Sequence, residues 1–215
     1  MKNDDGLRQQ LIDSALAMNT RGINQGTSGN LSVRVAGGYL ITPSGLPYED
    51  CNPSDIVFID DQTRAHGIRK PSSEWRFHDA IYRNRPNIGA VLHAHSPWCT
   101  TLACLERPIP AFHYMVAVAG GHDIRCAPYA TFGTEELSHH AIKALQDRLA
   151  CLLAHHGMIA INQDISAVLS LAAEVENIAR VYCQALAIGE PNTLDDQEME
   201  RVLEKFSHYG ARAQD

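Results

Sequence analysis

A mixed α/β fold is predicted by three observations. Apolar residues recur at helical spacing near both ends of the chain, they alternate in "NLSVRVAGGYLIT", and they cluster in the short runs "IGAVLHAH" and "ACLLAHHG". Leu7, Leu11, Ala15 and Met18 mark a first amphipathic helix that Arg21 and Gly22 stop. Leu31, Val33 and Val35 then alternate, Gly37 and Gly38 turn the chain, and Tyr39 and Ile41 alternate again, which is the pattern of a hairpin. "SDIVFID" adds a strand. "PSSEWRFHDAIYRN" supplies a capping serine and a helical stripe through Trp75, Phe77 and Ile81, ended by Pro86. The two apolar runs are the next strands, separated by turns, a strand and a short helix beginning near Thr134. From Ser166 to Ile188, Val168, Leu171, Val175, Ile178, Tyr182 and Ala185 step by three and four, giving the longest helix, which Gly189 and Pro191 end. The tail "DDQEMERVLEKFSHYGARAQD" holds one more helix before a polar end.

The 215 residues are 45% hydrophobic, enough for one substantial core, and no repeat or linker marks a boundary. A net charge of −7 without a basic block argues against a nucleic-acid or anionic membrane surface. No apolar run approaches the roughly 18 residues of a membrane span, and "MKNDDGLRQQLID" lacks the apolar core of a secretory signal. Six cysteines without a CxxC pair, mostly in apolar segments, read as buried thiols of a reducing compartment. A cytoplasmic protein is expected.

Chemistry concentrates in a few polar positions. On a strand, residues two apart face the same way, so His93 and His95 of "HAH" form a ready chelate. "LLAHHG" offers His155 and His156, of which alternation lets only one face the same site. Glu74, in the first turn of a helix, is a hard oxygen ligand that can also take a proton, and His78, one turn later, competes with it as a ligand. A lone buried histidine is ordinarily a hydrogen-bonded core residue, and Glu74 alone would suit a helix dipole. Their combination on strand and helix ends points to a metal. Three turns, "NQGTSGN" (24 to 30), "TPSG" (42 to 45) and "PSSE" (71 to 74), present backbone N–H groups and small hydroxyls that suit an oxyanion, the last at a helix N-terminus. None matches a Walker loop or a dinucleotide fingerprint.

Taken in order, "GINQGTSGNLSVR", "LITPSGLPYE", "KPSSEWRFH", "HAH", "IPAFHYMVAVAGG", "CAPYATFGTEELS", "LLAHHGMIA" and "VLEKFSHYG" resemble the class II sugar-phosphate aldolase/epimerase family over nearly the whole chain, most closely its L-fuculose-1-phosphate aldolase branch. The resemblance implies one domain over residues 1–215 with a three-layer α/β/α architecture and a mixed, largely antiparallel sheet. It implies a homotetramer with active sites at subunit interfaces and one Zn²⁺ per subunit on Glu74, His93, His95 and His156, with His155 unassigned. The substrate phosphate is expected among Thr27, Asn30, Ser44, Gly45, Ser72 and Ser73. Glu74 is expected to move the carbon-bound proton, and Tyr114 to donate a proton in an adjacent subunit's site; Phe206 and Tyr209 are expected to border that site. The implied reaction is reversible retro-aldol cleavage of L-fuculose 1-phosphate to dihydroxyacetone phosphate and L-lactaldehyde.

Rival readings remain. An imine-forming aldolase needs a lysine in an apolar pocket, and Lys2, Lys70, Lys143 and Lys205 all have polar, proline-turn or terminal settings. Alternatives with the same metal site are an aldolase or epimerase for ribulose, rhamnulose or deoxyribulose phosphate, a thio-sugar phosphate dehydratase, and a sugar-acid phosphate decarboxylase. A non-catalytic binding module on the same fold is the alternative of another class, and it would lack the metal ligands.

Overall fold

The computed structural model describes residues 4–208. Helix α1 (Asp5–Thr20) leads into the hairpin β1 (Asn30–Val35) and β2 (Gly38–Ile41), followed by β3 (Val57–Asp60) and a two-residue β4 (Ala65–His66). Then come α2 (Trp75–Asn84), β5 (Ala90–Ala94), α3 (Pro97–Cys104), β6 (Cys126–Ala127), α4 (Glu135–Ala144), β7 (Ala150–Leu153) and β8 (Gly157–Asn162). Two helices close the described chain, α5 (Ile165–Ile188) and α6 (Asp196–His208).

The eight strands form one sheet in the order β4-β3-β2-β1-β5-β8-β7-β6. Every pairing is antiparallel except β6 with β7. Strand alternation builds two cores from this one sheet. Leu31 and Val33 of β1, Ala90, Leu92 and Ala94 of β5, and Met158 and Ala160 of β8 face a cluster made with α1, α3 and α5. Val91, Ile159 and Ile161 face the opposite cluster, with Phe77 and Ile81 of α2 and Leu137 and Ala141 of α4. Helices therefore cover both faces, giving the three layers expected. Each fully buried aliphatic side chain contributes about 1.5–3 kcal/mol by leaving water, so the long stripe of α5 is a main source of stability.

Several predicted boundaries hold. Arg21 caps α1 and Gly22 follows in the left-handed region at φ 69°. Thr134 caps α4 by accepting a hydrogen bond from the Leu137 N–H at 3.2 Å. Two expectations need correction. The N-cap of α2 is Glu74 itself rather than a serine, and Ser72 Oγ instead accepts from the Glu74 N–H at 3.3 Å. "PWCTTLAC" is helical, a segment not anticipated: Pro97 at the first position presets φ, and Glu176 of α5 receives the N–H groups of Trp98 and Cys99 at 2.9 and 3.0 Å.

Candidate metal centre

Five chain segments meet at one end of the sheet. Asn30 pairs with His93 and Ala94 with Met158, so the start of β1, the end of β5 and the start of β8 lie side by side. Gly29 and Gly157 make that approach possible. A Cβ on Gly29 would sit 2.7 Å from the His93 carbonyl oxygen, and one on Gly157 2.4 Å from that of Ala94.

Beneath this edge, Glu74, His93, His95 and His156 bring one donor atom each to within 4.8 Å of one another. The imidazole Nε2 atoms of His93 and His95 are 3.0 Å apart, and Glu74 Oε2 and Oε1 lie 3.2 Å from His93 Nε2 and His156 Nε2 respectively. The His93 Nδ1–H donates to the Met158 carbonyl at 2.9 Å, which fixes the ring and turns Nε2 toward the cluster. Burial, reinforced by repulsion from His93, brings His95 and His156 down to about 4, so both rings are neutral at pH 7. Burial pushes the Glu74 carboxyl up, but attraction and a hydrogen bond from His93, with help from His156 and Asn30, outweigh it and hold the group at about 2.

The donor set fits a divalent cation. Glu74 Oε1 is buried without a hydrogen-bond partner, and its contact with His156 does not meet hydrogen-bond geometry. An ionised carboxylate oxygen with no donor costs several kcal/mol, which a cation among three nitrogens and this oxygen offsets. Three neutral imidazoles and one carboxylate would leave such an ion with a net positive charge.

The structure separates the histidines that the sequence left together. His155 and His156 lie in the turn between β7 and β8, not on a strand. His155 takes φ 54°, which sends its ring outward to Glu106 Oε1 at 3.1 Å, while His156 turns inward. His95 likewise lies one residue beyond β5 but keeps the inward direction of His93. His78 is not a competing ligand: its ring is fully buried and hydrogen-bonded to Asn30 Oδ1 at 2.6 Å and Ser32 Oγ at 2.7 Å.

The hydroxyl turns gather at the same end. Pro43 and Pro71 form a bridge, the Ser44 N–H donates to the Lys70 carbonyl, and the Ser72 N–H donates to the Thr42 carbonyl, each at 3.0 Å. "TPSG" and "PSSE" are thus neighbours, and Leu31 N–H bonds Thr42 Oγ1 at 3.2 Å to bring the end of "NQGTSGN" alongside. Thr27, Ser44, Gly45 and Ser73 are exposed, whereas Ser72 and Asn30 are buried. Asn30 already uses its amide N–H on Glu74 Oε2 at 3.0 Å. Tyr114 sits elsewhere, on the 3-10 turn Tyr114–Ala119, with its ring half exposed and stacked over Phe206 at 6.4 Å. Tyr209 lies outside the described residues. Lys70, Lys143 and Lys205 are all exposed, so none is desolvated as imine chemistry requires.

An α/β/α fold carrying this carboxylate and histidine set at the sheet edge defines a class of protein. Residues 9–183 match the family described as Class II Aldolase and Adducin N-terminal domain, and the chain belongs to it. Among its relatives, the 5-methylthioribulose-1-phosphate/5-deoxyribulose-1-phosphate aldolase of Rhodospirillum rubrum is 60% identical over 97% of this chain and 94% of its own. The L-fuculose phosphate aldolase of Escherichia coli K12 is 52% identical, over 97% of this chain and 98% of its own. A solved L-fuculose 1-phosphate aldolase superposes with a TM-score of 0.92 at 43% identity, covering 95% of this chain and 98% of that one. The chain is thus a class II aldolase by family.

Proposed function

We propose that this protein is a zinc-dependent aldolase that reversibly cleaves a ketose 1-phosphate into dihydroxyacetone phosphate and an aldehyde. The observation that carries this reading is the convergence of Glu74, His93, His95 and His156 around a buried carboxylate oxygen that lacks a donor. Zn²⁺ bound there would supply a Lewis acid that stabilises negative charge developing on the substrate ketone. Glu74, His93, His95 and His156 would hold the ion, one per chain.

Glu74, with Oε2 held by Asn30, would give Oε1 to the ion in the resting site and, once loosened from it by incoming substrate, would use that oxygen to accept and return the proton at carbon. Its carboxyl is ionised at every working pH, so no separate deprotonation is needed. The phosphate is assigned to Thr27, Asn30, Ser44, Gly45, Ser72 and Ser73, where the exposed hydroxyls of Thr27, Ser44 and Ser73 and the positive end of the α2 dipole favour an anion. Tyr114, exposed and outside this chain's own metal cluster, is suited to donate a proton in the site of a neighbouring copy of a homotetramer. The chain is read as one catalytic domain acting in the cytoplasm. In support, all six cysteines are free thiols, and among the described residues no helix is long and apolar enough to cross a membrane.

Three substrates of two kinds have specific support. The 60% identity to the Rhodospirillum enzyme favours 5-methylthioribulose or 5-deoxyribulose 1-phosphate. The 52% identity to the Escherichia coli enzyme and the superposition favour L-fuculose 1-phosphate. All three would release the same phosphorylated half, and the aldehyde would differ. Initial rates of dihydroxyacetone phosphate release from these compounds and L-rhamnulose 1-phosphate decide between them. The substrate with the highest kcat/KM identifies the reaction, and the reading is wrong if none is cleaved by zinc-loaded protein. Ser72→Ala should raise KM for the true substrate about tenfold with kcat little changed, because that contact is made in ground and transition states alike.

A further inference from the structure

Glu74, His78 and Tyr82 are spaced by four on α2 and its cap, so they share one helix stripe. Asn30 and Ser32 are two apart on β1 and share one face of the sheet. The stripes interlock in alternating order. The Asn30 Nδ2–H donates to Glu74 Oε2 at 3.0 Å; Asn30 Oδ1 is 2.6 Å from His78 Nε2; His78 Nδ1 is 2.7 Å from Ser32 Oγ; Ser32 Oγ is 2.8 Å from the Tyr82 hydroxyl. All five residues are at most 5% exposed.

The direction of this chain follows from its end. An ionised carboxylate can only accept, so Asn30 must present its N–H there and its carbonyl to His78. His78 then carries its hydrogen on Nε2, which leaves Nδ1 to accept from the Ser32 hydroxyl, and Ser32 accepts from Tyr82. With the opposite His78 tautomer, Nε2 would accept, Asn30 would turn over, and a carbonyl oxygen would face the Glu74 carboxylate.

We propose that His78 is a positioning residue: through Asn30 it fixes which oxygen of Glu74 is clamped and which is left open to the metal and the substrate proton. This deepens the aldolase reading and rests on it for the role assigned to Glu74. Ser32 and Tyr82 hold the His78 tautomer. Burial keeps His78 down at about 3, so the relay is neutral at working pH.

The test compares His78→Leu, His78→Gln and Ser32→Ala in full-length protein. Its first readout is zinc affinity of the stripped protein by competition with a chromophoric chelator; its second is kcat and KM of cleavage. His78→Leu and Ser32→Ala should weaken zinc binding about tenfold or more, as loss of outer partners of metal ligands does. They should also lower kcat by a larger factor than they raise KM, since the clamp on Glu74 serves the proton in flight while Asn30 also borders the assigned phosphate site. His78→Gln, which can present an N–H toward Asn30, should recover most of the affinity. A purely structural role would lower the thermal midpoint of all three and leave zinc affinity parental, and that result overturns the proposal. So does a glutamine variant no better than leucine. If His78→Leu does not fold, Ser32→Ala decides alone by its zinc affinity. Parent protein that binds zinc but cleaves no ketose phosphate would refute the function above while the affinity comparison still tests the relay.

Discussion

The two helical layers meet the sheet by different means. On one face, α5 lays Val168, Leu171, Ala172, Val175, Ile178 and Ala179 against apolar strand residues. On the other, α2 contributes Phe77 and Ile81 to the core but also sends His78 and Tyr82 into hydrogen bonds with β1. Arg34 of β1 extends that polar seam, donating to the Tyr82 and Ile88 carbonyls at 2.8 Å with its guanidinium over the Tyr82 ring at 4.7 Å. Apolar packing tolerates small shifts because it has no direction, whereas a hydrogen bond fails within a fraction of an ångström. The layer that carries Glu74 is the one fixed by directional contacts.

The largest effect expected is on the metal cluster. His95→Ala should lose bound zinc and essentially all cleavage together, measured by metal content and retro-aldol rate; activity retained without the metal would remove the basis of the comparison. Next, Glu74→Gln should keep much of the zinc but slow proton exchange at the ketose phosphate carbon by about 10²–10⁴-fold, the usual range for a lost general base. Ile178→Ala should do the reverse. Its cavity in the apolar layer should cost about 2–5 kcal/mol by denaturant unfolding while leaving kcat of the folded enzyme unchanged. Similar kcat losses in both variants would show that the two layers are not functionally distinct.

The smallest effect concerns pH. In metal-free protein His95 and His156 titrate at about 4, below the ordinary 6.5 of the unfolded chain. Between those values the unfolded chain binds more protons, so stability present above pH 6.5 is lost as pH falls toward 4. Glu74, held near 2 against an ordinary 4.5, adds a loss of the same sign at lower pH. The thermal midpoint of stripped protein should therefore drop from pH 7 to 5, and more steeply than in a His95→Gln, His156→Gln double variant. Equal slopes would mean the rings are not buried in solution as they are here.

Much of the site was legible because its signals are local. Strand alternation alone put His93 and His95 on one side, and the boundary chemistry of Arg21, Gly22 and Thr134 set helix ends. Strand β8 was missed because "ACLLAHHG" reads as one strand through the histidines, whereas the chain turns there and "GMIAIN" returns beside it as a second strand. The seam of Ser32, His78 and Tyr82 had a signature, a polar pair two apart on a strand and polar residues four apart on a helix, but nothing in the sequence said that the two would meet.

What the sequence determined by itself is the inventory: the ligand types, the periodicities that bury them, and an order of motifs sufficient to imply the family. Tertiary structure alone decided how that inventory is used. A left-handed backbone angle at His155 gives the neighbouring His156 to the cluster, and a contact across 48 positions turns His78 from a rival ligand into a support for Glu74. The reason is physical. Periodicity is fixed by bonds between neighbouring residues, whereas the direction of a turn and the convergence of distant segments are settled only when the whole sheet and its two helical layers are packed.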